Sequence, residues 1–180
     1  MSARVLIDAN VLYPTVLREI VLGVAAAGYF TPLWSARILE EWARAAARRD
    51  PAQEPVARGE IALLRARWPG AEVAVRPETE ARLALPDPDD VHVLAAAIDG
   101  GAGELLTMNL SDFPTRTLGA EGIVRRDPDG FLVEALGQGA AVDTVVADVH
   151  ATAERLAGQD LPLRALLKRA RLPRLGKALG

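Results

Sequence analysis

The chain has 180 residues, half of them hydrophobic and a quarter charged, with a formal net charge of −3. Such a length and composition are typical of one folded domain with a substantial core and room for a small appendage. Cysteine is absent, which excludes a disulfide framework and thiolate chemistry. No apolar run approaches the roughly 20 residues that span a bilayer. The acid at position 8 also comes too early for a secretory signal, so we expect a cytoplasmic protein with no membrane partner.

Charge is distributed unevenly along the chain. Residues 161–180 contain six basic side chains and no acid, which leaves 15 of the 21 basic residues against all 24 acids in the rest. An acidic body with a basic tail fits a site that concentrates cations beside a surface for an anionic partner. A solvated, amphipathic last helix is the simpler explanation when the charge is considered alone.

The first half of the chain alternates between strand and helix patterns. Residues 4–8 form a short apolar run that predicts a buried strand, from whose carboxyl end Asp8 emerges. After a turn at residues 8–10, the predicted elements are a helix from Pro14 to Gly28, a strand over 30–34, a helix from Ser35 to Arg49, a third helix ending at Pro69-Gly70, a strand over 72–75 and a helical turn over 78–85.

The second half continues the alternation and then becomes helical. The predicted elements are a helix from Asp87 to Gly100, a strand over 104–107, a loop over 108–114, a strand over 123–125, a helix from Asp127 through Leu136 and helices from Ala141 onward. Alternating strands and helices predict an α/β fold, a three-layer α/β/α sandwich around a mostly parallel sheet. Sites in such sheets form at the carboxyl ends of the strands, where Asp8 and the 107–112 loop are predicted to lie.

The stretch 85–98 contains the most informative acid. Asp87 and Pro88 are suited to the first positions of a helix. Asp90 falls on one apolar stripe with Val91 and Leu94, whereas Asp89 points away from it. A carboxylate on a packed face is costly unless a positive group meets it, and we expect a metal ion there. The alternative is an acid that supports the helix start and its dipole.

Other acids can join Asp90. Asp8 ends the first strand, although it also suits a helix cap. Glu41 borders the apolar stripe of its helix, whereas Glu40 faces farther into solvent; a surface glutamate remains the alternative at both positions. The 107–113 loop offers Asp112 and Asn109, which can also be ordinary turn residues.

Two further features bear on the metal. Thr107 can fix a carboxylate by hydrogen bonding, and Asn10 is compatible with a site or a turn. Oxygen ligands in a chain without cysteine and with two histidines favour Mg²⁺ or Mn²⁺ over zinc. His92 and His150 stand alone in the pattern, and His92, nearly opposite Asp90 on the helix, is interpreted as structural or as part of a rim.

Four segments together resemble the PIN-domain family of metal-dependent nucleases, especially the VapC-like ribonuclease toxins of type II toxin–antitoxin pairs. The segments are VLIDANVL at 5–12, SARILEEW at 35–42, DPDDVHVLAAA at 87–97 and LLTMNLSDF at 105–113. The resemblance spans about residues 4–126. It implies a nuclease domain over residues 1–130 and a helical extension over residues 131–180, packed on or beside that domain.

The resemblance also implies a site and an activity. Asp8, Glu41, Asp90 and Asp112 are the implied catalytic and metal-binding residues, with Asn10, Asp87, Thr107 and Asn109 in support. Glu40 is the alternative to Glu41, and Asn109 the alternative to Asp112. The implied reaction is Mg²⁺- or Mn²⁺-dependent hydrolysis of RNA phosphodiester bonds, with one or two ions.

Partners follow from the same resemblance and from charge. Arg37, Arg44, Arg48 and the basic tail are candidates for binding the RNA backbone. A cognate antitoxin and a homodimer are expected partners. One alternative is a PIN-like domain that binds RNA or protein without cutting. A less favoured one is a haloacid-dehalogenase-like phosphohydrolase with Asp8 as nucleophile, since Asn10 replaces the second acid and the lysines, Lys168 and Lys177, lie in the tail.

Overall fold

A computed structural model describes residues 2–180 of the chain and shows one sheet of five parallel strands. The strands are β1 (Ala3–Ile7), β2 (Phe30–Ser35), β3 (Glu72–Val73), β4 (Glu104–Leu106) and β5 (Val124–Arg126). Their order across the sheet is β3-β2-β1-β4-β5, with Leu6 of the central strand paired to Leu33 on one side and Leu105 on the other. This register aligns the carboxyl ends of β1 and β4.

Eleven α-helices surround the described sheet. They are α1 (Ala9–Leu12), α2 (Thr15–Ala26), α3 (Ala36–Arg49), α4 (Gln53–Arg67), α5 (Pro77–Ala81), α6 (Val91–Asp99), α7 (Thr115–Ala120), α8 (Pro128–Gly137), α9 (Val142–Ala157), α10 (Leu163–Arg169) and α11 (Pro173–Ala178). Two 3₁₀ turns, Pro88–Asp90 and Leu110–Asp112, lie beside the carboxyl edge of the sheet.

The chain reverses its direction across the sheet at β1. It proceeds from β1 to β2 and β3 on one side, and then returns through α5 and α6 to β4 and β5 on the other. Since crossovers between parallel strands are right-handed in nearly all proteins, this reversal puts the helices of the two halves on opposite faces. The observed architecture is therefore the predicted three-layer α/β/α sandwich with additional C-terminal helices, and the predicted fold class is confirmed.

Burial explains why the central strands are apolar throughout. Val5, Leu6, Ile7, Leu105 and Leu106 have no solvent exposure, as expected for strands covered by helices on both faces. The α6 helix packs on β1, β2 and β4, and its residues from His92 to Ala97 are all buried. The core therefore lies on both sides of β1 and extends to the edge that carries Asp8.

Several element boundaries differ from the sequence-based prediction. The strand predicted over 72–75 has two residues, and the last strand is shifted by one residue to Val124–Arg126. The turn predicted at 8–10 contains the start of a short helix, α1, because the Asp8 carboxylate caps it by accepting the Ala9 N–H at 2.7 Å. The last predicted helix is shorter, since α10 ends at Arg169, and Pro173 begins a separate helix, α11.

The C-terminal helices pack against the rest of the fold. Phe131 of α8 meets Phe30 of β2 edge to face, with ring centroids 5.3 Å apart. The α9 helix crosses α2 so closely that a Cβ added at Gly23 lies 2.5 Å from a methyl carbon of Val145. Of the described residues, no helix is long and apolar enough to cross a membrane.

Candidate metal centre

The candidate site lies where β1 and β4 end side by side. Asp8 directly follows β1 and Thr107 directly follows β4, and the Asp8 N–H donates to the Leu106 carbonyl at 3.0 Å. The strand order reverses at this point, and such reversals open a crevice at the carboxyl edge of parallel sheets. The topology therefore brings together two segments that are about a hundred residues apart in sequence.

Asp8 is almost fully buried, with 5 % of its surface exposed, and its carboxylate is held by three donors. The Ala9 N–H donates to Oδ1 at 2.7 Å, whereas the Asn10 amide at 3.0 Å and the Thr107 hydroxyl at 2.8 Å donate to Oδ2. Burial raises the pKa of Asp8, and the hydrogen bonds from Thr107 and Ala9 oppose that rise. Because Oδ1 accepts only one of these bonds, it retains a free lone pair.

Asn10 and Thr107 tie the two strand ends together. The Asn10 side-chain oxygen accepts the Met108 N–H at 3.0 Å, and its amide also donates to the Thr107 hydroxyl at 3.2 Å. The same hydroxyl accepts the Asn109 N–H at 3.0 Å while it donates to Asp8. Both residues therefore fix the Asp8 carboxylate and the loop that follows β4.

Three more carboxylates gather beside Asp8. Asp87, Asp90 and Asp112 each offer an oxygen, and these oxygens lie within 4.8 Å of one another. Asp87 also caps the 3₁₀ turn by accepting the Asp89 N–H at 2.9 Å, and the Asn109 amide donates to the Asp112 carboxylate. Asp87, expected only in support, thus belongs to the tightest group, which does not include Asp8 or Glu41.

Asp90, like Asp8, has a raised pKa. Burial, followed by the negative charges of Asp8, Asp87, Asp112 and Glu41, raises the pKa of Asp90 to about 6. Within residues 2–180, no lysine or arginine forms an ion pair with Asp8, Asp87, Asp90 or Asp112. An oxygen-only group of uncompensated carboxylates fits a hard divalent cation such as Mg²⁺ or Mn²⁺.

The prediction that Asp90 lies on the packed face of a helix is wrong in part. The α6 helix has no single apolar stripe, because the six consecutive residues from His92 to Ala97 are all buried. Asp90 precedes this helix in the 3₁₀ turn and is only half-buried. Its position among the other acids follows from the turn at the sheet edge, not from the periodicity of the helix.

His92 has a polar partner, although it stands alone in the sequence pattern. Its side chain is 2 % exposed, and its Nε2 lies 2.7 Å from Oε1 of Glu41. Its buried Nδ1 has no hydrogen-bond partner in the described part of the chain. This fits the neutral tautomer that has its proton on Nε2 and donates it to the Glu41 carboxylate. His92 therefore connects α6 to α3 and fixes the Glu41 side chain, a role that spacing along the helix does not reveal.

Glu40 and Glu41 have separate environments. The carboxylate of Glu40 accepts hydrogen bonds from Arg58, at 2.9 and 3.1 Å, and from Arg44, and these partners lower its pKa to about 2. Glu41 contacts His92, and its charge raises the pKa of both Asp8 and Asp90. The geometry therefore favours Glu41 over Glu40 as the member of the acidic group.

A family model described as a PIN domain matches residues 4–111, more than half of the chain. The chain belongs to the PIN domain family. No curated protein and no solved structure matches it. PIN domains are generally nucleases, and this one has a group of three acids able to hold a metal ion.

The match covers most, but not all, of the candidate centre. It includes Asp8, Glu41, Asp87 and Asp90 and ends one residue before Asp112. Helices α7 to α11 lie outside it. Both lysines, Lys168 and Lys177, are exposed on the C-terminal helices, so no lysine accompanies Asp8 as the haloacid-dehalogenase-like alternative requires.

A cleft of about 1000 Å³ opens from the carboxylates of this PIN domain. Asp8, Glu41 and Asp90 line one part of it, and four arginines line another: Arg37, Arg44, Arg48 and Arg65. Arg37 is paired with Glu80 at 3.2 Å and Arg44 with Glu40 at 3.3 Å, whereas exposed Arg48 has no acidic partner within 4 Å among residues 2–180. The cleft thus has an acidic part and a basic part, and we call the four arginines the basic rim.

Proposed function

We propose that this PIN domain is a divalent-metal-dependent endoribonuclease whose Asp8, Glu41, Asp90 and Asp112 bind Mg²⁺ or Mn²⁺. The observation that carries the proposal is the convergence of carboxylates on Asp90 without a basic side chain to neutralise them. PIN-domain membership supports RNA as the substrate. A bound divalent cation supplies a water of lowered pKa and neutralises charge on the phosphate.

The chain's own residues prepare this chemistry. Thr107, Asn10 and the Ala9 N–H hold the Asp8 carboxylate in one orientation, and His92 does the same for Glu41. Such fixed outer contacts keep metal-binding oxygens in place. Asn109 orients Asp112 through its amide.

The basic rim of the cleft positions the substrate. Arg37, Arg44 and Arg48 can bind phosphate oxygens, which gives salt-sensitive affinity with little sequence selectivity. Aromatic residues make up 4 % of the chain, so stacking on bases contributes little.

A cleavage assay tests the proposal. We expect the protein to cut structured RNAs with Mg²⁺ or Mn²⁺ and to stop when a chelator is added. Asp8→Asn and Asp90→Asn, which preserve shape, should each reduce cleavage by more than about 100-fold without unfolding the chain. Glu41→Gln should reduce it strongly, whereas Glu40→Gln, the matched control on the same helix, should not. Wild-type cleavage by Asp8→Asn or Asp90→Asn contradicts the assignment, and metal-independent RNA binding without cleavage favours the non-cutting alternative.

We infer further that the nuclease is a VapC-like toxin of a toxin–antitoxin pair, which acts on cytoplasmic RNA and forms a homodimer. A groove of about 640 Å³ between α2, α4 and α9 supports a protein partner, since Leu63 and Leu156 on it are 72 % and 81 % exposed. Induced expression in bacteria should arrest growth, and Asp90→Asn should relieve the arrest. Unimpaired growth with wild-type protein contradicts the toxin role.

The division into a nuclease domain over 1–130 and an extension over 131–180 also remains a proposal. The α8 helix runs across position 130, with Phe131 and Leu132 in the common core. We therefore place the extension on the domain and not apart from it.

A further inference from the structure

The two last helices, α10 and α11, carry the most basic stretch of the chain. We call residues 163–178 the basic hairpin; it contains six cationic side chains and no acid. The six are Arg164, Lys168, Arg169, Arg171, Arg174 and Lys177, and all of them are exposed.

The basic hairpin is fixed to the fold and is not a loose tail. Its apolar side is buried through four leucines: Leu166, Leu167, Leu172 and Leu175. The buried carboxylate of Asp129, at the start of α8, accepts the N–H groups of Arg174 and Leu175, each at 2.9 Å. The cations are therefore presented at defined positions on the surface.

Most of these cations are uncompensated. Arg174 lies 3.8 Å from Asp127, and the Arg164 guanidinium donates to the Gly176 carbonyl at 3.4 Å. Within residues 2–180, no acid lies within 4 Å of Lys168, Arg169 or Arg171. Arg171 also has a left-handed backbone, with φ of 61°, where glycine would be less strained. A guanidinium thus occupies a turn position that backbone geometry alone does not favour.

The hairpin lies at the same edge of the sheet as the candidate metal centre. The α8 helix begins directly after β5, and β5 is separated from β1 only by β4. Since neighbouring strands are about 4.8 Å apart, Asp127 lies roughly 10 Å along the edge from Asp8. The arginines of the cleft rim, on α3 and α4, follow β2 on the other side of β1. The acidic centre is therefore flanked by cations on both sides.

We propose that the basic hairpin binds the phosphate backbone of RNA that reaches the carboxylates, as a second anchor opposite the cleft rim. The identity of the anion rests on the proposed function. Clustered carboxylates repel a polyanion, and exposed, unpaired cations beside them offset that repulsion. Contacts to phosphates alone confer affinity and register without sequence preference.

The test compares two triple variants of the full chain. The hairpin variant is Lys168→Gln, Arg169→Gln and Arg171→Gln, which leaves Arg164 and Arg174 in their structural contacts. The control variant is Arg4→Gln, Arg67→Gln and Arg155→Gln, which removes the same charge from exposed positions outside the hairpin. Binding of a labelled, unstructured oligoribonucleotide is measured in chelator over a range of salt concentrations, and vesicles containing phosphatidylserine serve as a second probe.

For the hairpin variant we expect a slope of log K against log salt that is smaller by about 2, and affinity at least tenfold lower near 0.1 M salt. The control variant should keep the wild-type slope. A separate cleavage assay with Mn²⁺ should show a raised KM for long RNA and unchanged turnover of a dinucleotide.

Equal slopes in the hairpin variant and wild type overturn this inference, because the basic hairpin is then a solvent-exposed helix face that does not contact RNA. An equal loss of RNA affinity in both variants also overturns it, because the loss then results from the change in net charge and not from the position of the hairpin. Hairpin-dependent binding to vesicles without binding to RNA overturns it in favour of a membrane surface. RNA binding through the hairpin without metal-dependent cleavage supports this inference and contradicts the proposed nuclease, so the two failures are distinct.

Discussion

The carboxylate of Asp90 is partly buried near four other carboxylates and forms no ion pair with any residue of the described chain. Its pKa is therefore raised from 3.8 to about 6. Because the folded-state pKa is above the unfolded value, the folded chain binds this proton more tightly. Asp90 therefore favours folding most at low pH, and that contribution is lost as pH rises from about 4 to about 6.

Asp90→Asn removes this repulsion. In chelator at pH 7, we expect the variant to be more stable than wild type by on the order of 1 kcal/mol, a modest figure because water screens the half-exposed group. The difference should shrink toward pH 4. Urea unfolding at several pH values measures it, and parallel curves for the two proteins contradict the account of the cluster.

His92 is a positioning residue if it acts by holding Glu41. His92→Leu removes the donor, whereas His92→Gln retains an N–H able to reach the carboxylate. We expect His92→Leu to need about 10- to 100-fold more Mn²⁺ for half-maximal cleavage, as other outer-contact substitutions do, with His92→Gln closer to wild type. A purely structural role would lower the free energy of unfolding and leave the Mn²⁺ requirement unchanged.

Sequence patterns predicted which residues meet at the ends of strands, but not which residues meet between helices. Asp8 and Thr107 could be placed together because each ends a predicted parallel strand, and the hydrogen bond between them is present. His92 and Glu41 are 51 positions apart in the sequence, and the geometry of their contact depends on how α3 and α6 pack. Helical spacing alone contains no information on that packing, so the contact between His92 and Glu41 could not be predicted.

At the scale of elements, the docking of α11 depends on Asp129. Two backbone N–H groups share its carboxylate, and Asp129→Asn replaces one accepting oxygen by a donor. We expect a loss of about 1–3 kcal/mol of stability.

Amide exchange measures this effect locally. The N–H groups of Arg174 and Leu175 should exchange faster in Asp129→Asn. Asp143→Asn is the matched control, since its carboxylate also accepts a backbone N–H, that of Thr144 at 2.8 Å, but on an exposed helix start. Equal protection of the Arg174 N–H in wild type and Asp129→Asn contradicts a role of Asp129 in docking α11.

Element types were predictable and their ends less so. Apolar runs identified β1 and β4, and the helix predicted to begin at Ser35 is present as α3, which the Ser35 hydroxyl caps by accepting the Ile38 N–H at 3.2 Å. The strand predicted over 72–75 is shorter because β3 pairs only with β2, at Glu72 and Val73, and has no second neighbour to extend it. Tertiary pairing therefore set the boundaries that local patterns left open.

At the scale of the whole molecule, strand order produces the centre. With β1 between β2 and β4, the carboxylates of two 3₁₀ turns, one helix and one strand end meet at a single edge, with cations on either side. The alternation of elements predicted a parallel sheet, and the resemblance implied the four acids. Neither revealed that Asp87 joins Asp90 and Asp112, since that depends on how the 3₁₀ turns approach each other.

The central claim is that these carboxylates bind a divalent cation, and anomalous diffraction from crystals of the full chain soaked in Mn²⁺ at neutral pH tests it most directly. We expect an anomalous peak in direct contact with the carboxylates of Asp8 and Asp90, absent from crystals of Asp90→Asn. No peak at a Mn²⁺ concentration that supports cleavage, or a peak only at acids away from this edge, would contradict the claim.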